Sequence, residues 1–335
     1  MNASEYLRRL AAVIFGFVLL MGGLLKITDP VGSQLVIESY LNFLGLGFLH
    51  AISLHIAFFF NLLECFVGAA LIAGAWTSWI RWVAFVLMVF FTGLTLVLLI
   101  FNPSMDCGCF GELVHLTHLQ SFLKNIILLL LWVAAFVPTK KVRRMHVRRP
   151  IIVGVTFALM VAFAIFSYRH LPMLDLTDLR AGTELTEGRV SLLGADGDYH
   201  DELALEGDVL LISVYDPAAL SRHDRERIAR TATIAREAGM KPIVASVMSM
   251  KGDDLPDGAY LADRKSLLSL NRSNGGATYI SDGQVVRKWS AGRVRPASLE
   301  RVLAADPTDV VAGHIVRGRM TFGIMSVAIF VLLLI

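Results

Sequence analysis

The stretch WIRWVAFVLMVFFTGLTLVLLIF, residues 79–101, carries one charged side chain, Arg81, and that sits near its start. A helix needs roughly 20 mostly apolar residues to cross the hydrocarbon core of a bilayer. Runs of the same kind recur at about 9–27, 49–74, 119–138 and 150–167, and a shorter one lies at about 319–335. Between 168 and 318 polar and apolar residues mix, as in a water-soluble domain. Composition agrees with an integral membrane protein: 335 residues, 55% hydrophobic and 18% charged, with a mean hydropathy of +0.62. The expected layout is a four-helix membrane module over 1–138, a basic loop over 139–149 and a fifth span over 150–167. An exported α/β domain over 168–318 and a sixth span over 319–335 complete it. The first run is read as a retained helix. Arg8 and Arg9 precede it, but Lys26-Ile27-Thr28-Asp29-Pro30 closes it where a cleavage site of small residues would stand.

Orientation follows from charge. Lys140, Lys141, Arg143, Arg144, Arg148 and Arg149 crowd the connection between the fourth and fifth runs, and loops rich in Lys and Arg stay cytoplasmic. By alternation the amino terminus and the short turn Thr77-Ser78-Trp79-Ile80-Arg81 also lie inside. The segments 28–48, 102–118 and 168–318 lie outside, on the periplasmic side of an inner membrane. Arg317 and Arg319, on the outer flank of the last run, are the exception. Within 30–48, Val36, Ile37, Tyr40, Leu41, Phe43 and Leu44 form an apolar stripe at helical spacing. That pattern predicts a short helix on or dipping into the outer interface.

The chemically informative segment is Asp106-Cys107-Gly108-Cys109-Phe110-Gly111-Glu112, which holds two of the chain's three cysteines. On the outer face disulfides persist. A bond between residues two apart closes a small ring that strains the preferred geometry, and Gly108 and Gly111 supply the backbone freedom such a ring needs. Strain makes a disulfide easily reduced. Asp106 and Glu112 have the wrong sign to favour a thiolate. Three readings stay open: a redox-active dithiol, a metal site using Cys107, Cys109, His115 and His118, or a structural turn with inert cysteines. Glu64, beside Asn61 and Cys65 in the second run, is a carboxylate where carboxylates are expensive. Lys124 and Asn125 are its candidate partners. Glu64 and Lys124 are read as a proton relay or quinone contact, against the plainer reading of an interhelical clamp. Cys65 reads as a small filler, His50 and His55 as candidate lining of the same pocket. Gly16, Gly22, Gly23, Gly68 and Gly74 read as sites of close helix packing.

The first 138 residues resemble the DoxX-like membrane proteins. The likeness rests on Gly22-Gly23-Leu24-Leu25-Lys26-Ile27-Thr28-Asp29-Pro30-Val31-Gly32, on Glu64 and Gly68, and on Phe91-Thr92-Gly93-Leu94-Thr95. The cysteine segment and Phe122-Leu123-Lys124-Asn125 resemble most closely the MauE branch, a four-helix membrane module linked to methylamine utilisation. The resemblance implies help with disulfide formation in an exported protein. The layout of module, exported domain and last helix is similar to DoxX-like proteins of Bacteroidetes.

In the exported domain, 208–215 reads as a buried strand, 221–239 as an amphipathic helix and 241–248 as a second strand. Residues 278–280 and 284–289 read as a hairpin about Asp282-Gly283, and 296–303 as a closing helix. That order resembles a thioredoxin-like fold. Asp216-Pro217-Ala218-Ala219 stands where such a fold would place C-x-x-C, and Ala277-Thr278 where its proline would stand. The domain has no cysteine, so its expected role is docking or substrate presentation. The expected function is a membrane thiol–disulfide oxidoreductase. Its Cys107/Cys109 pair exchanges electrons with cysteines of an exported partner, with a membrane quinone as the candidate cofactor. The alternative is a non-catalytic scaffold that docks an exported protein. A transporter is weaker, since no interrupted helix pair is visible. Membrane lipid is an expected partner and nucleic acid is not. No glycine-rich phosphate loop suggests a nucleotide.

Overall fold

The computed structural model describes residues 3–103, 105, 107–108, 111, 116–137, 148–247 and 258–334. Cys109, His115, Asp106, Glu112, Lys140, Lys141, Arg143 and Arg144 lie outside the described residues. The chain divides into two compact units, one of Met1–Tyr168 with Phe322–Ile335, the other of Arg169–Thr321.

The first unit is helical. Its helices are α1 (Ala3–Thr28), α2 (Pro30–Phe43), α3 (Ser53–Ala73), α4 (Thr77–Phe101), α5 (His118–Phe136) and α6 (Arg148–Arg169). It also takes in the end of α10 (Pro307–Leu334). Among the described residues six helices are long and apolar enough to cross a membrane: α1, Gly47–Ala73 (which contains α3), α4, α5, α6 and α10. Their outward faces keep large apolar side chains exposed, among them Val86, Ile100, Ile127, Leu159 and Val327. A water-soluble bundle would hide such side chains, whereas a lipid-facing one presents them. Buried residues of α1 fall at Ala12, Phe15, Gly16, Leu19, Leu20 and Gly23, a helical stripe that packs on α3. A Cβ on Gly68 would lie 2.6 Å from the Gly16 carbonyl oxygen, and one on Gly23 would lie 2.6 Å from Cys65 Sγ. The two helices therefore run antiparallel with backbones nearly touching, as small residues allow in membranes.

Caps set the joints. Asp29 Oδ1 accepts from Gly32 N at 2.9 Å, and Pro30 occupies the first turn of α2, where its missing N–H costs nothing. Thr117 and Gln120 cap the start of α5 reciprocally. Gly74, left-handed at φ 70°, ends α3. Arg9 donates to the carbonyls of Leu71 and Ile72, two of the acceptors a helix end leaves open. The turn is thus Gly74–Trp76, and Thr77–Arg81, expected as the turn itself, already belongs to α4. The last helix also differs from expectation. It begins at Pro307, after Asp306 accepts from Thr308 N at 2.8 Å, not near 319. Asp309, His314, Arg317 and Arg319 lower the hydropathy of its first half without breaking the helix.

Among the described residues the second unit holds a five-stranded mixed sheet: β1 (Asp208–Val214), β2 (Lys241–Val247), β3 (Tyr260–Ala262), β4 (Gly276–Ser281) and β5 (Gln284–Trp289), in spatial order β3-β2-β1-β4-β5. β1, β2 and β3 are parallel, while β4 runs antiparallel to β1 and β5 antiparallel to β4. The central strand is buried on both faces, which is why it reads as an unbroken apolar run. Leu210, Ile212 and Val214 pack with Ile228 and Ala232 of α7 (Arg222–Glu237) and Leu299 and Val302 of α9 (Pro296–Leu303). Val209 and Leu211 pack with Leu267 and Leu270 of α8 (Arg264–Leu270) on the other face. Asp282 and Gly283 both take positive φ, 43° and 78°, as a two-residue hairpin turn requires. The sequence reading missed β3 and α8. Both are short, three and seven residues, below the length at which periodicity separates strand from helix.

Candidate functional site

Inside the helical unit lies a cavity of about 330 Å³. Its walls come from α1 through α5 together with Cys107, Gly108 and Gly111. Most of the lining is apolar (Leu19, Val36, Leu41, Phe60, Phe91, Leu94), and the polar side chains are few: Lys26, Ser33, Tyr40, Asn61, Glu64, Thr95, Lys124 and Asn125. Small-molecule sites have this character, a largely apolar hollow with a few placed polar groups.

Glu64 is 3% exposed, and Lys26 Nζ lies 2.6 Å from its Oε1. The expected partners were Lys124 and Asn125. Lys124 lines the same cavity as Glu64, and Lys26 of α1 makes a close ion pair with Glu64. Lys26 also stands 5.6 Å from the centre of the Phe91 ring. Sequence reasoning treated Lys26 as the stop of the first run. The signal that finds it is the close α1–α3 approach, which brings the outer end of α1 alongside Asn61 and Glu64. Asn125 instead donates to the Phe91 carbonyl and to Thr95 Oγ1, each at 3.1 Å, tying α5 to α4.

Cys107 is 6% exposed and packs with Tyr40 and Leu98, flanked by Val36, Phe43, Leu94 and Met105. The Tyr40 hydroxyl lies 2.9 Å from the Cys107 carbonyl oxygen and 3.7 Å from its Sγ. Tyr40 was read from sequence only as part of the apolar stripe of α2. Val36, Tyr40 and Phe43 of that stripe pack with Cys107. Gly108 has φ 64°, and a Cβ there would lie 2.5 Å from Val36 Cγ1. The glycine between the cysteines is thus demanded twice, by backbone conformation and by the closeness of α2. Cys65 is fully buried against Gly23 and is absent from the described cavity lining. His50 and His55 are likewise absent from the described lining.

His118 Nε2 lies 3.0 Å from the Pro103 carbonyl oxygen, joining the start of α5 to the end of α4. With Cys109 and His115 outside the described residues, the four-residue metal set is represented by Cys107 and His118. Among the described residues no group of three or more His, Cys, Asp or Glu side chains is arranged to hold a metal ion.

The second unit carries its own charged clusters. Lys288 Nζ pairs with Asp175 Oδ2 at 2.8 Å and donates to Thr177 Oγ1 and the Ser269 carbonyl, each at 3.0 Å. His200 sits 2.8 Å from Asp196 and 3.4 Å from Glu202. The hydrogen bond to Asp196 holds its pKa above the ordinary histidine value. After β1, the Asp216 side chain accepts from Ala219 N, and Asn274 bonds both the N–H and the carbonyl of Asp216. These contacts pin a turn and fix the ends of strands.

An apolar bundle with outward lipid-type faces and a buried ion pair beside an internal cavity defines a multi-pass membrane protein, joined to a mixed α/β domain. Residues 4–138, which include every residue of the cavity wall, match the family model of methylamine utilisation protein MauE. No curated protein and no solved structure matches the chain.

Proposed function

We propose that this protein is a thiol–disulfide oxidoreductase of the cytoplasmic membrane. In this reading Cys107 and Cys109 exchange electrons with cysteines of an exported partner, and a membrane quinone in the cavity accepts or supplies those electrons. One observation carries the reading: Cys107 lines the same cavity as the Lys26–Glu64 ion pair and Lys124. Quinone reduction takes two electrons and two protons, so it needs a thiol pair and titratable groups around one apolar hollow. The likeness to MauE supports it, as does the positive φ of Gly108 and Gly111 on either side of Cys109. The basic residues 140–149 are cytoplasmic in this reading, and the α/β unit and the cysteine segment lie on the periplasmic side. The β–α–β order followed by a hairpin and helix supports a thioredoxin-like domain after the DoxX-like module of this reading. That domain lacks cysteine and holds or presents the partner.

The test is the thiol state of the pair in intact cells of a Cys65→Ala strain, acid-quenched, denatured and alkylated with a mass-tagged maleimide before and after reduction. The expected result is a disulfide whose occupancy follows the redox state of the respiratory chain. Two thiols that stay reduced under every oxidising condition overturn the reading. A scaffold is the second reading, favoured by Asp216-Pro217-Ala218-Ala219 standing as a pinned turn without thiols. It requires that Cys107→Ser with Cys109→Ser leave partner binding and phenotype intact.

A further inference from the structure

We infer that the cavity takes the ring of an isoprenoid quinone directly from the bilayer, through the α3–α4 wall between Phe60 and Phe90, and leaves the tail outside in an apolar groove along α4. This rests on the quinone that the reading above places in the cavity, and assigns its route and the seat of its tail.

Size forces the tail out. A hollow of about 330 Å³ lies at the low end of small-molecule sites, with room for a substituted ring and not for a polyisoprenoid chain as well. Lys26 and Lys124 bring N–H donors to its walls and Tyr40 an O–H, which suits a head carrying carbonyl oxygens.

The walls differ in what can move. Between α1 and α3 the backbones nearly touch, a Cβ on Gly68 lying 2.6 Å from the Gly16 carbonyl oxygen. Between α4 and α5, Asn125 donates to the Phe91 carbonyl and to Thr95 Oγ1, each at 3.1 Å. Between α3 and α4 two side chains stand in the wall: the Phe60 and Phe90 rings stack with centres 5.4 Å apart and planes 4° apart. Both rings line the cavity. Both also line a groove outside it, with Leu63, Trp79, Trp82, Val83, Val86 and Leu87. Side chains change rotamer far faster than helices shift, so this partition opens without displacing a helix.

The groove fits a chain. Trp82 and Val86 are exposed on the outer surface of the bundle. From Phe90 back to Trp79 the helix rises about 16 Å, at 1.5 Å per residue, and the groove ends at tryptophans, which favour the membrane boundary. On the cavity side the aromatic track continues. Phe91 lies 5.7 Å from Phe90 and 6.1 Å from Phe60, and Lys26 Nζ stands 5.6 Å from the Phe91 ring. Polar group, ring cluster and groove follow one another as head, first isoprene units and tail do in the ligand. An ordinary lipid-facing groove has no such continuity with a polar hollow.

The experiment uses the full chain in nanodiscs of phosphatidylethanolamine and phosphatidylglycerol, with two photoreactive ubiquinone analogues. One carries an azide on the ring, the other a diazirine at the end of a decyl tail, and adducts are located by peptide mass spectrometry. Ring adducts are expected on cavity residues and tail adducts within 79–90 of α4 or on Leu63, both suppressed by excess unlabelled quinone. Val86→Trp fills the groove and is expected to cut tail adducts there roughly tenfold, as overpacking does where the surround cannot yield. Leu130→Trp, at an exposed position of α5 outside the described lining of cavity and groove, is expected to leave them unchanged. Each comparison holds quinone and lipid fixed, so partitioning into the bilayer cancels. Ring adducts in the cavity with tail adducts on other helix faces overturn the route and leave the quinone reading standing. Tail adducts indifferent to Val86→Trp, or lost equally in Leu130→Trp, do the same. If no competable ring adduct forms in the cavity, the quinone reading falls and the route with it. Should Val86→Trp fail to give monodisperse protein, the wild-type adduct map decides the route by itself.

Discussion

Lys26 and Glu64 meet at 2.6 Å with both side chains nearly out of solvent, and an ion pair so placed has a characteristic response to mutation. Removing one partner strands a charge in a medium that cannot solvate it, at a cost of about 3–5 kcal/mol, whereas replacing both with apolar groups of similar volume is often neutral. Glu64→Gln is therefore expected to lower the thermal unfolding midpoint in detergent sharply, and Lys26→Met with Glu64→Leu to recover most of the loss. If the pair also handles protons for a quinone, the recovered double variant is stable yet slow to reoxidise its cysteines. A Glu64→Gln protein as stable as wild type would show that water reaches the pair. At this scale the sequence told half the story. A carboxylate inside an apolar run announces itself, and so does C-G-C with a second glycine following. The place of Lys26 beside Glu64 did not, because the two lie on helices whose contact is invisible to spacing along the chain. Tyr40 was legible as an apolar face and not as a hydroxyl aimed at Cys107.

Helix register explains why those side chains meet. The α1–α3 seam is built on glycines whose missing Cβ atoms would strike backbone: at Gly68 a Cβ would lie 2.6 Å from both the Gly16 carbonyl oxygen and the Leu20 nitrogen. Backbone cannot swing aside as a flexible side chain can, so Gly68→Ala must push the helices apart. Overpacking of this kind costs about 1–3 kcal/mol, and here it also displaces Lys26 relative to Glu64. Gly154 in α6 is the control, since a Cβ there meets nothing within 4 Å, and alanine at a helix interior gains up to about 1 kcal/mol. Unfolding by graded SDS, followed by tryptophan fluorescence, should separate the two variants in opposite directions. Equal effects would mean that the seam is looser than its distances. Element positions were readable from apolar runs because a bilayer demands long ones. Element ends were less so: α10 extends back to Pro307 through residues whose charges hide a helix from a hydropathy window.

At the scale of the whole chain, two solvents act on one sequence, and each leaves its own pattern. Residues 1–168 read in helical runs that keep apolar faces outward, while the Arg169–Thr321 unit reads in buried strands and amphipathic helices whose apolar faces turn inward. The strand–helix–strand–hairpin–helix order of the second unit was legible because β1 is apolar throughout and Asp282-Gly283 is an unmistakable turn. The edge strand β3 was not, since three residues carry no period. Charge adds a constraint that no fold imposes. In the topology proposed above, the basic residues 140–149 hold the start of α6 in the cytoplasm, and one crossing by α6 would carry the α/β unit to the opposite side. Single cysteines placed in a background of Cys65→Ala, Cys107→Ser and Cys109→Ser test this, at exposed Arg148, exposed Ser39 of α2 and exposed Glu300 of α9. With a membrane-impermeant maleimide on intact spheroplasts, Ser39→Cys and Glu300→Cys should label at once, and Arg148→Cys only after the membrane is opened. If Glu300 and Arg148 label from one side, α6 does not cross and the α/β unit faces the cytoplasm. An exported partner would then be out of its reach, and the thiol pair would have to find its substrate without it.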